Sequence, residues 1–254
     1  MSSEEKNLKV VAIVQARTGS TRLPEKIFKE LSGKPMLWHV VNRLSQSGLI
    51  NQIVIATTVL SEADKVQQFS EYNNYSFYRG SSDDVLSRYY EASKYYHADI
   101  VVRITADCPV IDPALIDTML KRYLAQEKST RPDYFSNVLE RTFPRGLDTE
   151  IFSYDTLARA HREAILQPER EHVTPYIYNH PDKFIIKNFS SEKDLSFHRW
   201  TVDTPEDFLL IEKIYSSLYK KNPLFLFDDI LRLFEEKPDL FEINQNVQQK
   251  KSGE

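Results

Sequence analysis

Short runs of β-branched residues alternate with longer helical patterns through the first half of the chain, and this alternation restricts its possible folds most strongly. The predicted strands cover residues 10–14, 52–57, 76–78 and 100–104. The predicted helices cover residues 35–44, 62–72, 83–96 and 113–124. This spacing is typical of βαβ units, in which helices cover both faces of a parallel sheet. We therefore predict an α/β fold of three layers, α/β/α, in which a mainly parallel mixed sheet is the middle layer.

The regular alternation stops at about residue 130. Further strands are predicted over residues 134–139, 149–152, 184–188 and 198–202, and further helices over 155–165, 169–178, 206–219 and 228–236. We interpret residues 9–240 as one domain, in which 130–195 form a small inserted subregion with a β-hairpin and helices. The polar ends, residues 1–8 and 244–254, are predicted to be disordered.

Glycine is scarce, with six residues where average usage predicts roughly eighteen. Neither the G-x-G-x-x-G nor the G-x-x-x-x-G-K-[ST] pattern occurs in the sequence. If the protein binds phosphates, it must do so without these two glycine-rich loops.

Bulk properties exclude several other classes of protein. A formal net charge of −4 provides no basic surface for a nucleic-acid backbone. The longest early apolar run, residues 10–14, is far below the ~20 residues of a membrane span. Cys108 is the single cysteine, which excludes an intramolecular disulfide, and no signal peptide is recognised. We therefore expect a cytoplasmic protein without nucleic-acid or membrane partners.

A basic loop, residues 15–26, follows the first predicted strand. It holds Arg17, Arg22 and Lys26 together with Gly19 and hydroxyl residues such as Ser20. Ligands of open α/β sheets bind beyond the carboxyl ends of the strands, where this loop begins. Arginine forks, lysine charges and hydroxyl donors suit phosphate oxygens. A solvated surface loop is the alternative, because cations are usually exposed, but the position after a buried strand favours phosphate binding.

The basic loop resembles that of the cytidylyltransferases that activate sugar acids, the CMP-Kdo and CMP-sialic acid synthetases. The shared pattern is Arg17-x-x-Ser20-x-Arg22-Leu23-Pro24-x-Lys26, followed by Gly33-Lys34-Pro35-Met36. Segments 79–86, 103–109, 144–148, 171–176 and 201–207 are similar to the branch named after spore coat polysaccharide biosynthesis protein F. The resemblance spans roughly residues 10–215 and implies a Rossmann-like nucleotide-diphospho-sugar transferase fold. Glu25 departs from the pattern, which often has glycine before the lysine; its carboxylate would either weaken phosphate binding or face solvent.

Two aspartates stand out once helix caps are set aside. Asp112 and Asp207 fit capping patterns, and Asp84 is a further capping candidate. Asp107 and Asp203 follow predicted strands directly, at the same sheet edge as the basic loop. Mg²⁺ is usually held by one or two carboxylates with phosphate oxygens and water, whereas Asx turns are the structural alternative. We predict that both bind Mg²⁺, and the resemblance implies metal-binding aspartates at the same positions.

The base and ribose site is predicted at the ends of the third and fourth strands. The resemblance implies that this region contacts cytosine and ribose, and the complete predicted CTP site is Ala16, Arg17, Gly19, Ser20, Lys26, Arg79, Gly80, Ser81, Arg103 and Thr105. The alternative is that Arg79 and Arg103 form ion pairs with Asp83 and Asp107.

The acceptor site is predicted in the irregular second half. Cations there suit a carboxylate, and acidic groups suit sugar hydroxyls. Arg141, Tyr176 and Trp200 lie near the predicted acceptor-binding residues, which are Arg145, Asp148, Glu150, Glu171 and His172. A histidine near a helix start is more often structural, so His172 has a structural alternative.

The resemblance implies Mg²⁺-dependent transfer of CMP from CTP to a hydroxyl of a sugar acid or related polysaccharide precursor, with release of pyrophosphate. The expected catalytic residues are Arg17, Arg22, Lys26, Asp107 and Asp203. A homodimer is expected. One alternative is a glycosyltransferase that consumes a nucleotide-sugar, although Asp107-Cys108-Pro109 lacks the D-x-D metal motif. The other is a nucleotide-binding protein without turnover, for which Glu25 is the only hint.

Overall fold

The computed structural model describes residues 8–19 and 22–249. The strands are β1 (Val10–Gln15), β2 (Glu30–Leu31), β3 (Lys34–Pro35), β4 (Gln52–Thr58), β5 (Ser76–Gly80), β6 (Ile100–Thr105), β7 (Tyr134–Ser136), β8 (Glu150–Ser153) and β9 (Ile186–Asn188). The α-helices are α1 (Met36–Leu44), α2 (Asp64–Tyr72), α3 (Val85–Tyr95), α4 (Pro113–Leu124), α5 (Tyr154–Glu163), α6 (Gln167–His172), α7 (Pro175–Tyr178), α8 (Pro205–Leu218) and α9 (Phe227–Glu236). Short 3₁₀ helices cover Lys26–Phe28, Ser61–Ala63 and Pro238–Ile243.

Seven of these strands form one sheet in the order β5-β4-β1-β6-β8-β7-β9. Strands β5, β4, β1 and β6 are parallel, whereas β8 runs antiparallel to both β6 and β7. Strand β9 pairs with β7 in parallel. The predicted mainly parallel mixed sheet is confirmed. Strands β2 and β3 form a separate two-stranded hairpin.

Alternate side chains of β1 enter two different cores. Val10, Ala12 and Val14 pack in a core that includes residues of α1, α4 and α8. Val11 and Ile13 pack in a second core, with residues of α3 and α5. Because both faces of the central strands are covered, their sequences are continuously apolar. The three-layer prediction is therefore confirmed.

The predicted helix starts agree with the structure. The Asp112 carboxylate accepts hydrogen bonds from the amides of Ala114 and Leu115 at 2.7 and 3.0 Å. Thr204 and Asp207 form the capping box of α8, and Asp84 accepts from the Ser87 amide at 2.9 Å. The capping role of these three aspartates is confirmed.

Two predicted elements of the second half are wrong. Residues 198–202 form only an isolated bridge, between Arg145 and Arg199, because the segment pairs with a loop instead of a sheet strand. The alternation of polar and apolar residues in segment 198–202 reflects the burial of Trp200 in the core. The predicted helix over 169–178 is divided into α6 and α7, because Val173 has a positive φ of 73°. Pro175 also lacks the N–H that a continuous helix needs.

Residues 244–249 pack against the domain, contrary to the predicted disordered tail. The Asn244 amide donates to the Arg199 carbonyl at 2.9 Å and to the Asp207 carboxylate at 2.8 Å. The Gln249 side-chain oxygen accepts from Arg199 Nη1 at 2.5 Å. These buried charged groups need polar partners, which explains why a polar segment is ordered here. Residues 1–7, 20–21 and 250–254 lie outside the described part. Within the described residues, no helix is long and apolar enough to cross a membrane.

Replacement of Gly146 by alanine should destabilise the protein strongly. The residue has φ +108°, and an added Cβ would lie 2.6 Å from the Trp200 carbonyl carbon. We expect Gly146→Ala to cost about 2 to 4 kcal/mol, measured by urea unfolding. The matched control is Gly33→Ala, with φ +80° but nothing within 4 Å of the added Cβ, for which about 1 kcal/mol is expected. Equal costs for the two variants would contradict the steric explanation.

Candidate active site

The parallel strands bring the predicted site residues to one edge of the sheet. Strand β1 lies between β4 and β6, so the loop after β1 is adjacent to the loop that follows β6. The short 3₁₀ helix at Lys26–Phe28 belongs to the first loop and buries both Lys26 and Ile27. The Lys26 side chain is thereby directed toward the loop that carries Asp107.

Lys26 joins the two predicted metal ligands. Its Nζ lies 2.9 Å from Asp107 Oδ2 and 2.8 Å from Asp203 Oδ1. It also donates to the Val202 carbonyl at 2.7 Å. All three ammonium hydrogens therefore have an acceptor, and three of the five predicted catalytic residues meet in what we call the Lys26 triad (Lys26, Asp107 and Asp203).

The electrostatics keep the triad ionised. Burial lowers the pKa of Lys26, but the charges of Asp107 and Asp203 outweigh it and the net shift is upward. Burial raises the pKa of both aspartates, yet Lys26 and their hydrogen bonds bring each pKa below its usual value, to about 2 for Asp203. At neutral pH the triad thus holds one positive and two negative charges.

Two arginines hold the second oxygen of Asp203. Arg199 Nη2 lies 2.8 Å and Arg22 Nη2 3.1 Å from Asp203 Oδ2. Arg199 is itself paired with the fully buried Asp207 at 2.9 Å. Arg22 was a predicted catalytic residue, whereas Arg199 was missed. Its position four residues before Asp203 was the available sequence signal.

The two aspartates of the triad face one point, which Lys26 Nζ occupies at 2.9 Å from Asp107 Oδ2 and 2.8 Å from Asp203 Oδ1. A metal ion shared by both carboxylates would have to take the place of that ammonium. Residues 8–19 and 22–249 contain no group of three or more His, Cys, Asp or Glu side chains that could hold a metal. Two carboxylates suit Mg²⁺, which retains coordination positions for water and phosphate oxygens.

Arg17 lines a cleft of about 250 Å³, which Gln15 at the end of β1 also lines. It is exposed and has no hydrogen bond or ion pair with any residue that the structure describes. The cleft is lined by Gln15, Arg17, Ser82, Asp83, Val85, Gln167, Glu171 and His172. It thus brings Arg17, predicted to bind phosphate, next to Glu171 and His172, predicted to bind the acceptor.

A strained turn at Val173 follows Glu171 and His172, which form one wall of the cleft. Its φ of 73° and ψ of −55° form a γ-turn, closed by a 2.9 Å bond from the Thr174 amide to the His172 carbonyl. This conformation is unusual for a β-branched residue, and such strain concentrates at functional sites. Thr174 Oγ1 donates to Glu150 Oε2 at 2.7 Å, which fixes the far side of the turn.

Other residues of the predicted CTP site have different surroundings. Ala16 is buried and its amide donates to the Ala56 carbonyl at 3.0 Å, and a Cβ on Gly19 would lie 3.2 Å from Glu62 Oε1. Ser20 lies outside the described residues. Thr105 Oγ1 is 3.3 Å from the sulfur of Cys108.

Arg79 is engaged away from the cleft. It donates to the Thr58 and Leu60 carbonyls at 3.0 and 2.9 Å and pairs with Asp64 at 2.8 Å. The alternative prediction, an ion pair between Arg79 and Asp83, is wrong in its partner, because Arg79 forms its ion pair with Asp64. Since these contacts occupy the guanidinium, the structure does not present it to a base.

The turn after Arg79 is fixed by α3. A Cβ on Gly80 would lie 2.9 Å from Arg88 Cγ, so close packing of Arg88 against β5 explains this glycine. Ser81 Oγ accepts from the Asp84 amide at 3.0 Å. Arg88 is buried and donates to the Ser81 carbonyl at 2.8 Å, and sequence reasoning missed it.

Arg103 and Glu150 form a buried ion pair instead of contacting ligand positions. Glu150 also accepts from the hydroxyl of Tyr134 at 2.6 Å. Burial lowers the pKa of Arg103, but Glu150 and the hydroxyls of Tyr89 and Tyr134 together outweigh it, so the net shift is upward. The alternative partner Asp107 is wrong. We assign this pair to the support of β6 and β8, in place of the predicted base and acceptor contacts.

Asp148 and Arg145, both predicted acceptor residues, differ in their partners. Both terminal nitrogens of Arg141 donate hydrogen bonds to the Asp148 carboxylate, at 2.6 and 2.9 Å. Arg145 has no side-chain hydrogen bond or ion pair within the described ranges. It therefore remains available to a ligand.

Glu25 faces solvent. Its backbone is left-handed, with φ 52°, and its side chain pairs with Lys65 while more than half of each side chain is exposed. The left-handed backbone explains why glycine is common in this position of the pattern. The side chain is directed away from the triad, so the second of the two predicted alternatives holds.

Comparison with known proteins identifies the family. The cytidylyltransferase family profile matches residues 11–248. The chain belongs to the cytidylyltransferase family. The structure of a cytidylyltransferase from Leptospira borgpetersenii superposes with a TM-score of 0.87 and 34% identity, over 96% of this chain and all of that chain. The predicted resemblance is confirmed.

Two curated relatives match this cytidylyltransferase over most of its length. An uncharacterised protein of Methanocaldococcus jannaschii is 35% identical over 96% of this chain and 97% of its own. Spore coat polysaccharide biosynthesis protein SpsF of Bacillus subtilis is 28% identical over 91% of this chain and 95% of its own. The second supports the predicted branch of the family.

Acid should destabilise the folded cytidylyltransferase partly through Asp203. The folded pKa of about 2 lies below the ordinary 3.8, so this stabilisation is complete above pH 4 and is lost as the pH falls toward 2. We expect Asp203→Asn to lose on the order of 2 kcal/mol at neutral pH and to converge with the wild type near pH 2, measured by urea unfolding. Asp155→Asn, at an exposed position of α5, is the control and should follow the wild-type curve. Parallel curves for wild type and Asp203→Asn would contradict this assignment.

Proposed function

We propose that the protein transfers CMP from CTP to a hydroxyl of a sugar acid or a related polysaccharide precursor and releases pyrophosphate. The observation that carries this proposal is the Lys26 triad, which gathers one cation and two carboxylates at the edge of the sheet where the basic loop begins. Membership in the cytidylyltransferase family supports CTP as the nucleotide. The name of the Bacillus subtilis relative supports a role in polysaccharide synthesis.

The reaction needs charge and positioning more than covalent chemistry. The acceptor oxygen forms a bond to the α-phosphorus as the bond from that phosphorus to the bridging oxygen of pyrophosphate breaks. The hydroxyl proton passes to solvent. Negative charge grows on the departing pyrophosphate, and we assign its stabilisation to Arg17, Arg22 and Lys26.

Asp107 and Asp203 are the proposed Mg²⁺ ligands. The bound ion supplies positive charge to the phosphate oxygens. Lys26 and Arg199 keep Asp203 ionised, and the Lys26 ammonium would move from the two carboxylates to the phosphates when the ion binds. The homodimer and the cytoplasmic location stay predictions.

Loss of triad charges should abolish activity. We expect Lys26→Ala and Asp203→Asn each to lower the rate of pyrophosphate release from CTP by at least about 100-fold, because the first removes a positive charge from the departing pyrophosphate and the second removes a carboxylate of the proposed Mg²⁺ site. Lys65→Ala, in the exposed pair with Glu25, is the matched control and should stay within about twofold of the wild type. Circular dichroism checks that each variant is folded. Near-normal release by either triad variant would refute the proposed site.

Nucleotide preference can be tested without an acceptor. Thermal shift with Mg²⁺ should show the largest stabilisation for CTP, about 2.7 kcal/mol at 100 times Kd. A larger shift with UTP or dTTP would reject the proposed base.

A further inference from the structure

Arg199 contacts the oxygen of Asp203 that Lys26 does not use. Lys26 Nζ lies 2.8 Å from Oδ1 of Asp203, whereas Arg199 Nη2 donates to Oδ2 at 2.8 Å. Arg22 also reaches Oδ2, at 3.1 Å, but we have assigned it to the pyrophosphate. If Lys26 moves to the phosphates when the ion binds, the contact with Arg199 is kept. The orientation of this proposed Mg²⁺ ligand therefore depends on how firmly the Arg199 guanidinium is held.

The Arg199 guanidinium is held by two different parts of the chain. Its Nε and Nη2 donate to the Asp207 carboxylate of α8, at 2.9 and 3.1 Å. Its Nη1 donates to the side-chain oxygen of Gln249 at 2.5 Å. Because a guanidinium is planar and each of its three nitrogens has a partner, these contacts fix both its position and its plane. Gln249 thus holds Nη1, while the carboxylates of Asp203 and Asp207 share the other two nitrogens.

Asn244 holds the same arginine by its main chain. The Asn244 side chain donates from Nδ2 to the Arg199 carbonyl at 2.9 Å and to Asp207 Oδ1 at 2.8 Å. The residue is only 5% exposed. Asn244 therefore fixes the backbone of Arg199 and also the carboxylate that pairs with its guanidinium. Residues 244–249, which we call the 244–249 segment, thus hold Arg199 at both its backbone and its guanidinium.

Neutral amides suit this position. Arg199 is already shared by two carboxylates, those of Asp203 and Asp207. A third carboxylate would compete with Asp203 for the guanidinium, and a cation would repel it. The amide oxygen of Gln249 satisfies Nη1 without either effect. The 244–249 segment, whose sequence contains no charged residue, fits this requirement.

We infer that the 244–249 segment positions the proposed Mg²⁺ ligand Asp203 through Arg199. This inference rests on the proposed function. Asn244 and Gln249 are positioning residues, because they contact Arg199 and act on the ion only through Asp203. Groups that orient a metal ligand commonly change metal affinity by about 10- to 100-fold when they are removed. We therefore expect the segment to affect the Mg²⁺-dependent part of CTP binding.

The binding test measures how much Mg²⁺ strengthens CTP binding and needs no acceptor. Isothermal titration calorimetry gives the Kd of CTP in EDTA and with saturating Mg²⁺, and we call the first value divided by the second the Mg²⁺ gain. We expect Asn244→Ala/Gln249→Ala to lower the Mg²⁺ gain at least about 10-fold, with the Kd in EDTA within about threefold of the wild type. Gln249→Ala alone should lower the Mg²⁺ gain about threefold.

The matched controls come from the same segment. Asn246→Ala and Gln248→Ala replace exposed amides and should keep the wild-type Mg²⁺ gain. Circular dichroism and urea unfolding check each variant, and Gln249→Ala, at an exposed position, should fold even if the double variant does not. A wild-type Mg²⁺ gain in folded Gln249→Ala, with or without a lower free energy of unfolding, would overturn the inference. Absence of any Mg²⁺ gain in the wild type would also overturn it.

The route through Arg199 has its own test. Arg199→Lys replaces the planar fork by a single ammonium, which cannot hold the same three partners in one plane. In this background Gln249→Ala should change the Mg²⁺ gain by less than about 1.5-fold, because the contact that it removes is already lost. Equal reductions by Gln249→Ala in the wild-type and Arg199→Lys backgrounds would overturn the inference.

Pyrophosphate release is measured separately, from CTP with N-acetylneuraminate or 3-deoxy-manno-octulosonate as the acceptor. Release together with a Mg²⁺ gain that the segment does not affect would overturn the inference and leave the proposed function intact. A Mg²⁺ gain that depends on the segment, without release, would support the inference and count against the proposed function.

Discussion

The bridge from the Lys26 ammonium to two carboxylates is the interaction on which the site depends. Asp107 and Asp203 are far apart in the chain and belong to different loops, and without a cation between them their like charges would repel. The parallel sheet brings the loops together, but the ammonium determines how closely the side chains approach. Arg199 and Asp207 extend the same alternation of charge into the protein interior.

This arrangement explains why so few glycines are sufficient. A glycine-rich loop binds phosphate through backbone amides, whereas the phosphate donors proposed here are the side chains of Arg17, Arg22 and Lys26. Gly80 and Gly146 are needed for close packing against Arg88 and Trp200. Scarcity of glycine is thus consistent with the proposed phosphate site built from side chains, and Gly80 and Gly146 serve the packing of the fold.

Sequence patterns predicted the features that local chemistry determines. Strand periodicity, the Asp112-Pro113 helix start and the sheet edge carrying Asp107 follow from neighbours in the chain. The partners of Arg79 and Arg103 could not be predicted, because Asp64 and Glu150 are brought to them by packing between elements. Residues 244–249 look disordered by composition, yet they satisfy the buried Arg199 and Asp207, which lie 37 to 50 residues earlier in the chain.

The turn at Val173 has a mechanical consequence. A γ-turn spans only three residues, so His172 on the cleft side and Thr174 on the sheet side are separated by a single stiff link. Thr174 is hydrogen-bonded to Glu150 of β8, which is also paired with Arg103 of β6. This wall of the cleft is therefore tied through Thr174 and Glu150 to two strands of the sheet, so a shift of His172 would strain contacts that also hold β6 and β8 together.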